Sequence, residues 1–181
     1  VCSSDLPGLK VVGDATDAGT FASSVPPADT FVHLAGVRRP KPWQKKRFRE
    51  TDLGSVQASI AAATAAGIKH FVYVSVAHPA PIMRAYVSVR VECERLLEQS
   101  GLNVTILRPW YVLGPGHRWP AILIPSYWIL RLLPWTRGFA QRLGLVKVDQ
   151  MINALVWSVE HPATGVRVLD VPGIREHGRE P

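Results

Sequence analysis

The stretch from Ile68 to Arg90, IKHFVYVSVAHPAPIMRAYVSVR, constrains the fold more than any other. Phe71-Val72-Tyr73-Val74 is a β-branched and aromatic run bounded by Gly67 on one side and by Pro79 and Pro81 on the other. A run without polar alternation suits a strand buried on both faces, and such strands belong to parallel sheets covered by helices. The flanks supply those helices. An alanine-rich segment, Asp52 to Ala66, carries Leu53, Val56, Ile60 and Ala63 at helical spacing and closes at Gly67, a residue suited to a left-handed cap. A second helix, starting near Tyr86, places Val89, Cys93, Leu96 and Leu97 on a buried face and Arg90, Glu94 and Glu98 along another.

Further strands are expected over Leu9 to Asp14, Thr30 to Gly36, Asn103 to Leu107 and Val166 to Val171. His33, inside an apolar strand, reads as a satisfied core residue. Asp149 is expected to cap a helix with Ile152, Leu155, Val156 and Val159 on one face, ending at His161-Pro162. The tail from Ile174 reads as polar and loose. A length of 181 residues with 47% hydrophobic composition fits one globular domain.

Ser75 at a strand end, a proline-containing loop, Tyr86 with Arg90 one helical turn on, and Thr105-Ile106-Leu107-Arg108-Pro109 follow in that order. This order resembles the second half of an extended or atypical short-chain dehydrogenase/reductase of the NAD-dependent epimerase/dehydratase type. The resemblance runs from about Leu9 to the C-terminal strand. It implies an α/β fold, a Rossmann-type doubly wound parallel sheet, with NAD or NADP as cofactor, a small-molecule substrate and a homo-oligomer as one allowed assembly. The family opens with a strand, a glycine-rich turn and a helix whose N-terminus holds the pyrophosphate. Neither G-x-x-G-x-x-G nor G-x-G-x-x-G occurs here. The expected fold therefore lacks its first strands and glycine-rich turn, and weak cofactor binding follows. Val1 to Leu6 resembles a translated sequencing adapter and is set aside as non-native. Residues 7–181 are then a single partial domain, with 116–145 as a substrate-side or lid insertion. In the family's strand order the two missing strands lie between the Leu9 and Thr30 strands, so the Leu9 strand is expected to be displaced or poorly supported.

Carried onto this sequence, the resemblance places Gly13, Asp14 and Ala15 beside the adenine. Leu34, Ala35 and Gly36 fall where the backbone passes close to ribose and phosphates, an approach only small residues permit. Val74 and Arg90 complete the cofactor set, with Pro109, Trp110 and Val112 framing the nicotinamide. The catalytic residues it implies are Tyr86, Arg90 and Ser75; no metal site is implied. Taken alone, Gly13-Asp14 reads as a turn that ends a strand.

A tyrosine works as general acid or base only if its pKa, about 10 when unperturbed, moves toward neutrality. Arg90, on the same helix face as Tyr86, is expected to lower it and to donate hydrogen bonds, although it cannot release a proton. The family has Lys at that position. The family also places a hydroxyl at the strand end, which aligns with Val76; Ser75, one residue earlier, faces the other way in an extended strand. Three readings stand: an oxidoreductase or epimerase with Tyr86 as acid/base; a non-catalytic dinucleotide-binding sensor or assembly protein in which Tyr86 is a half-buried structural phenol; and a membrane- or nucleic-acid-associated protein.

The third reading rests on Val37 to Arg49, VRRPKPWQKKRFR, where seven basic residues interleave with Trp43 and Phe48, in a chain of net charge +7. The plainer account of that run is a solvated segment leading into a helix, and a third is a mouth that attracts anionic substrate. Ala121 to Leu133 is apolar with tryptophans and arginines around it, suited to a pocket cover, a subunit contact or a membrane interface. It is too short to span a bilayer, and the N-terminal residues lack signal-peptide character. Cys2 and Cys93 match no metal spacing or disulfide framework, so a reducing, cytoplasmic setting is expected.

Overall fold

In the computed structural model, residues 10–25, 27–37, 40–80, 82–114 and 144–179 are described. The expectations for residues 1–9, for Arg38 and Arg39, and for the 116–145 insertion up to residue 143 lie outside them. Four parallel strands form one sheet: β1 (Thr30–His33), β2 (His70–Val74), β3 (Asn103–Leu107) and β6 (Val166–Leu169), in the order β1-β2-β3-β6. A second, two-stranded parallel sheet joins β4 (Tyr111–Leu113) to β5 (Leu145–Lys147). Parallel neighbours need long crossovers. Between β1 and β2 runs one helical stretch: α1 (Lys45–Arg47), a π-helical turn (Phe48–Leu53) and α2 (Gly54–Ala65). Between β2 and β3 lies α3 (Arg84–Gln99); α4 (Val148–Glu160) precedes β6, and α5 (Val171–His177) follows it.

The side chains of β2 divide the core. Phe71 and Tyr73 pack with Val104, Ile106 and the buried faces of α2 and α3, including Val56, Ala63, Val89, Cys93 and Leu97. Val72 points to the other side, where Leu107, Leu169, Met151, Ala154, Val171 and Ile174 gather. Successive strand residues face opposite ways, so an uninterrupted apolar strand supplies both layers. The result is a sheet with helices on both faces, as the uninterrupted run predicts. Gly67 and Gly101, at φ +71 and +77, end α2 and α3 in the left-handed region that only glycine adopts cheaply.

The structure corrects four expectations. Lys10 to Asp14 joins no strand, and Val12 is 99% exposed. Among the described residues the outer edge of β1 is left open. His70 N–H donates to Asp29 O, so Phe31 and His33 also direct their backbone groups to β2, while Thr30, Val32 and Leu34 direct theirs outward, where no described strand pairs with them. Arg90 and Glu94 are buried with Val89, Cys93 and Leu97, so the charged and apolar faces of α3 are one stripe. Asp149 lies in the first turn of α4 rather than at its cap, and Ile152, Val156 and Val159 are exposed while Met151, Ala154 and Ser158 are buried. The tail from Ile174 is partly helix. Asp170 Oδ1 accepts from Gly173 N–H and Pro172 sits in the first turn, two start signals that the polar reading overlooked.

Candidate functional site

Leu34 to Gly36 follow the carboxyl end of β1, Ser75 that of β2 and Pro109 that of β3, and α3, which carries Tyr86 and Arg90, begins at the same edge of the sheet. There the Arg90 guanidinium turns into the protein. Nη2 pairs with Asp52 Oδ1 at 2.6 Å, and Nη1 donates to Tyr73 Oη and to the Val74 carbonyl, each at 3.0 Å. Arg90 is 6% exposed and Asp52 0%. Asp52 Oδ1 also accepts from Val37 N–H at 3.3 Å. Burial raises the Asp52 carboxyl above its ordinary pKa and the guanidinium pulls it back. The π-helical turn carries Asp52, and Phe48 and Leu53 beside it are buried.

Tyr86 lies under this cation, with Arg90 Cζ 5.1 Å from the ring centroid and Phe48 edge-on at 5.2 Å. The lowering expected of its pKa does not occur. Burial raises the phenol more than Arg90 lowers it, and Asp52 adds to the rise. Ser75 is 5% exposed and its hydroxyl has no hydrogen-bond partner among the described residues; the same is true of Asp52 Oδ2 and Arg90 Nε. Val76, the position aligned with the family's hydroxyl, is buried at 6%. Tyr86 and Arg90 are thus brought together, with Arg90 buried and Tyr86 half-buried against the core, and Ser75 is buried.

The expected cofactor residues separate into two groups. Gly13, Ala15, Leu34 and Ala35 line one groove of about 540 Å³, which runs along the open edge of β1 with Phe21, Val25 and Ile68. Asp14, beside it, accepts from Thr16 N–H and Thr16 Oγ1 in a local turn that lowers its pKa. The other group is committed to packing. A Cβ at Gly36 would overlap Arg90 Nη2, so this glycine makes room for the guanidinium. Val74, Trp110 and Val112 pack against the second core cluster, and Pro109 is buried, its carbonyl accepting from Ala77 N–H.

Sequence reasoning missed a second buried ion pair. Glu94, 2% exposed, accepts from Arg108 Nε at 3.1 Å and Nη2 at 2.5 Å and pairs with His78 Nε2 at 3.1 Å. Burial opposes its ionisation, but His78 and Arg108 outweigh burial and leave its pKa lowered. His78 and Arg108, with Ala77, Val168 and Asp170, line a cavity of about 350 Å³ at the carboxyl ends of β2, β3 and β6. The legible signal was spacing: Glu94 sits one turn after Arg90 on the stripe of Val89, Cys93 and Leu97. Cys93 is core as expected, its thiol pushed up to about 11 by burial. Among the described residues no group of three or more acidic, Cys or His residues is placed to hold a metal.

His33 is a core residue with both ring nitrogens engaged, Nδ1 with Ser59 Oγ at 2.9 Å and Nε2 with Ser55 Oγ at 3.4 Å. Burial, and then Arg90, lower its pKa from 6.5 to about 4. A histidine neutral in the fold and protonated when unfolded contributes stability that is whole above 6.5 and is lost as pH falls toward 4. The expected loss is about 3 kcal/mol across that window. Urea titrations at several pH values check this: His33→Asn should flatten the slope, and an equal slope in the variant would assign it elsewhere.

A family model described as NAD(P)H-binding matches residues 4–117, more than half of the chain. Among curated proteins none matches. Solved structures with a similar fold include WbmH of Bordetella bronchiseptica in complex with NAD+, at 22% identity and TM-score 0.67, covering 92% of this chain and 62% of that one. MoeE5 in complex with UDP-glucose and NAD superposes at 21% identity and TM-score 0.63, over 87% and 64% of the two chains. UDP-N-acetylglucosamine 4-epimerase from Bacillus cereus does so at 15% identity and TM-score 0.62, over 88% and 64%. The chain spans less than two thirds of the length of each.

Proposed function

From the premise that this chain belongs to the NAD(P)H-binding family, we propose that it is a dinucleotide-binding element of a short-chain dehydrogenase/reductase-type protein that does not use Tyr86 and Arg90 as an acid/base pair. One observation carries the reading. The Arg90 guanidinium is held by Asp52, Tyr73 and the Val74 carbonyl at 6% exposure, and its unpartnered Nε is buried as well. The family's lysine at that position serves the cofactor ribose and the proton relay; here the cation ties two helices and a strand together. The groove lined by Gly13, Ala15, Leu34 and Ala35 would hold the adenosine end. Sensing or assembly, rather than turnover, is the role such a protein performs.

A second reading, an oxidoreductase or epimerase, keeps the support of the cavity bordered by His78, Arg108 and Asp170, since ligands of open α/β sheets bind outside the carboxyl ends of the strands. NAD(P), when bound, supplies hydride chemistry; under this reading Tyr86 would hold and release the proton.

Fluorescence titration with NADH and NADPH, alongside a carbonyl-reduction screen, separates the two. Under the proposal the protein binds at least one dinucleotide, and Tyr86→Phe leaves both that affinity and the absence of turnover unchanged. Turnover that falls by about a hundredfold or more in Tyr86→Phe would establish the enzyme reading instead. The same titration with Arg90→Lys and Val76→Ser combined asks whether a substrate pocket survives: activity appears only if it does.

A further inference from the structure

The basic run of the sequence is absorbed by neither reading. The structure sets Lys41, Trp43, Lys45, Lys46 and Arg47 on the surface, with Trp43 75% exposed, a high value for the largest apolar side chain. The run is anchored at its end. Phe48 at its end is 0% exposed and lies edge-on to Tyr86, which brings the start of this helix beside the start of α3. That helix start presents Ile82, 50% exposed, and the exposed Arg84. The acidic residues facing the run are already taken: Glu50 by Lys46 at 3.6 Å and Glu92 by Arg49 at 2.7 Å. Lys41, Lys45, Arg47 and Arg84 have no carboxylate partner among the described residues.

We propose that the basic surface around Trp43, with Lys41, Lys45 and Arg47 and with Ile82 and Arg84 from the start of α3, docks on an anionic lipid surface. The chemistry is complementary on two counts. Cations outside a bilayer are drawn to anionic headgroups, and an exposed indole and an isoleucine enter the headgroup region, where amphipathic and apolar side chains gain most. Nucleic acid shares the first count and not the second. Base stacking would use the Trp43 ring alone, whereas the headgroup region also takes Ile82, which offers no ring. Among the described residues no helix is long and apolar enough to cross a membrane.

Co-sedimentation with phosphatidylcholine vesicles, with and without phosphatidylserine, tests the proposal. The expected result is retention on the serine-containing vesicles alone, weakened as added salt shortens the screening length. Lys45→Gln combined with Arg47→Gln should lower the affinity about 30-fold, at roughly 1 kcal/mol for each charge. Trp43→Ala should weaken the remaining salt-resistant part. All three side chains are exposed, so circular dichroism and melting should match the unaltered protein. Equal retention on both vesicle types, or an affinity that the double substitution does not move, overturns the proposal. Retention of a single-stranded oligonucleotide without retention on phosphatidylserine would replace it with nucleic-acid binding.

Discussion

Asp52→Ala is expected to destabilise the protein by about 3–5 kcal/mol, because it leaves the Arg90 cation buried without its counter-charge. The pair is 2.6 Å apart, with Asp52 at 0% and Arg90 at 6% exposure, so no solvent arrives to replace the lost carboxylate. Arg90→Met should be costly for the mirror reason. The informative variant is the double one, Asp52→Leu with Arg90→Met. Exchanging a whole buried ion pair for apolar side chains of similar volume is often neutral or stabilising, so the double variant should recover most of the loss. Urea denaturation of the parent protein, Asp52→Leu, Arg90→Met and the double variant gives the coupling energy directly. Additive losses would mean that the two residues do not act as a pair.

Glu94→Ala is the second large effect, expected at about 3 kcal/mol. It removes three contacts at once and strands Arg108, whose side chain is 23% exposed, beside an emptied carboxylate site. This position also has a pH signature. The lowered Glu94 pKa means that its contribution is whole above the ordinary glutamate value of 4.5 and is lost as pH falls through the lowered one. The variant should therefore lose part of the steep acid limb of the stability curve below that value, whereas His33 governs the window above it. Glu94→Gln, which keeps the shape and drops the charge, should fall between the variant and the parent protein.

The sheet was legible because a strand buried on both faces leaves an unmistakable pattern, and Phe71 to Val74 has it. The helices were legible in place but not in content. Asp52 and Glu94 each lie on an apolar stripe, Asp52 one turn after Phe48 and one before Val56, and Glu94 between Arg90 and Leu97. A charge on such a stripe requires an opposite charge across the interface, and spacing within one helix cannot show which distant residue supplies it. The same limit explains Arg90. Its position four residues after Tyr86 sets it on the tyrosine's face, and only the packing of the π-helical turn against α3 brings Asp52 close enough to turn the guanidinium inward. Gly36 shows the converse error. Its small size was read as room for a cofactor, and the occupant is Arg90. At Lys10 to Asp14 local β propensity was real, but these residues lie along the groove at the open edge of β1 without pairing to it, and propensity alone does not make a strand.

The central claim is that Arg90 belongs to the core and leaves the Tyr86 phenol neutral. Tyrosine labelled with 13C at Cζ reports each phenol's ionisation by NMR, and Tyr86→Phe identifies its resonance among the four tyrosines. The account predicts that this resonance does not titrate below about pH 10, the unperturbed tyrosine value. Ionisation of Tyr86 near neutrality would contradict it and return the residue to acid/base chemistry.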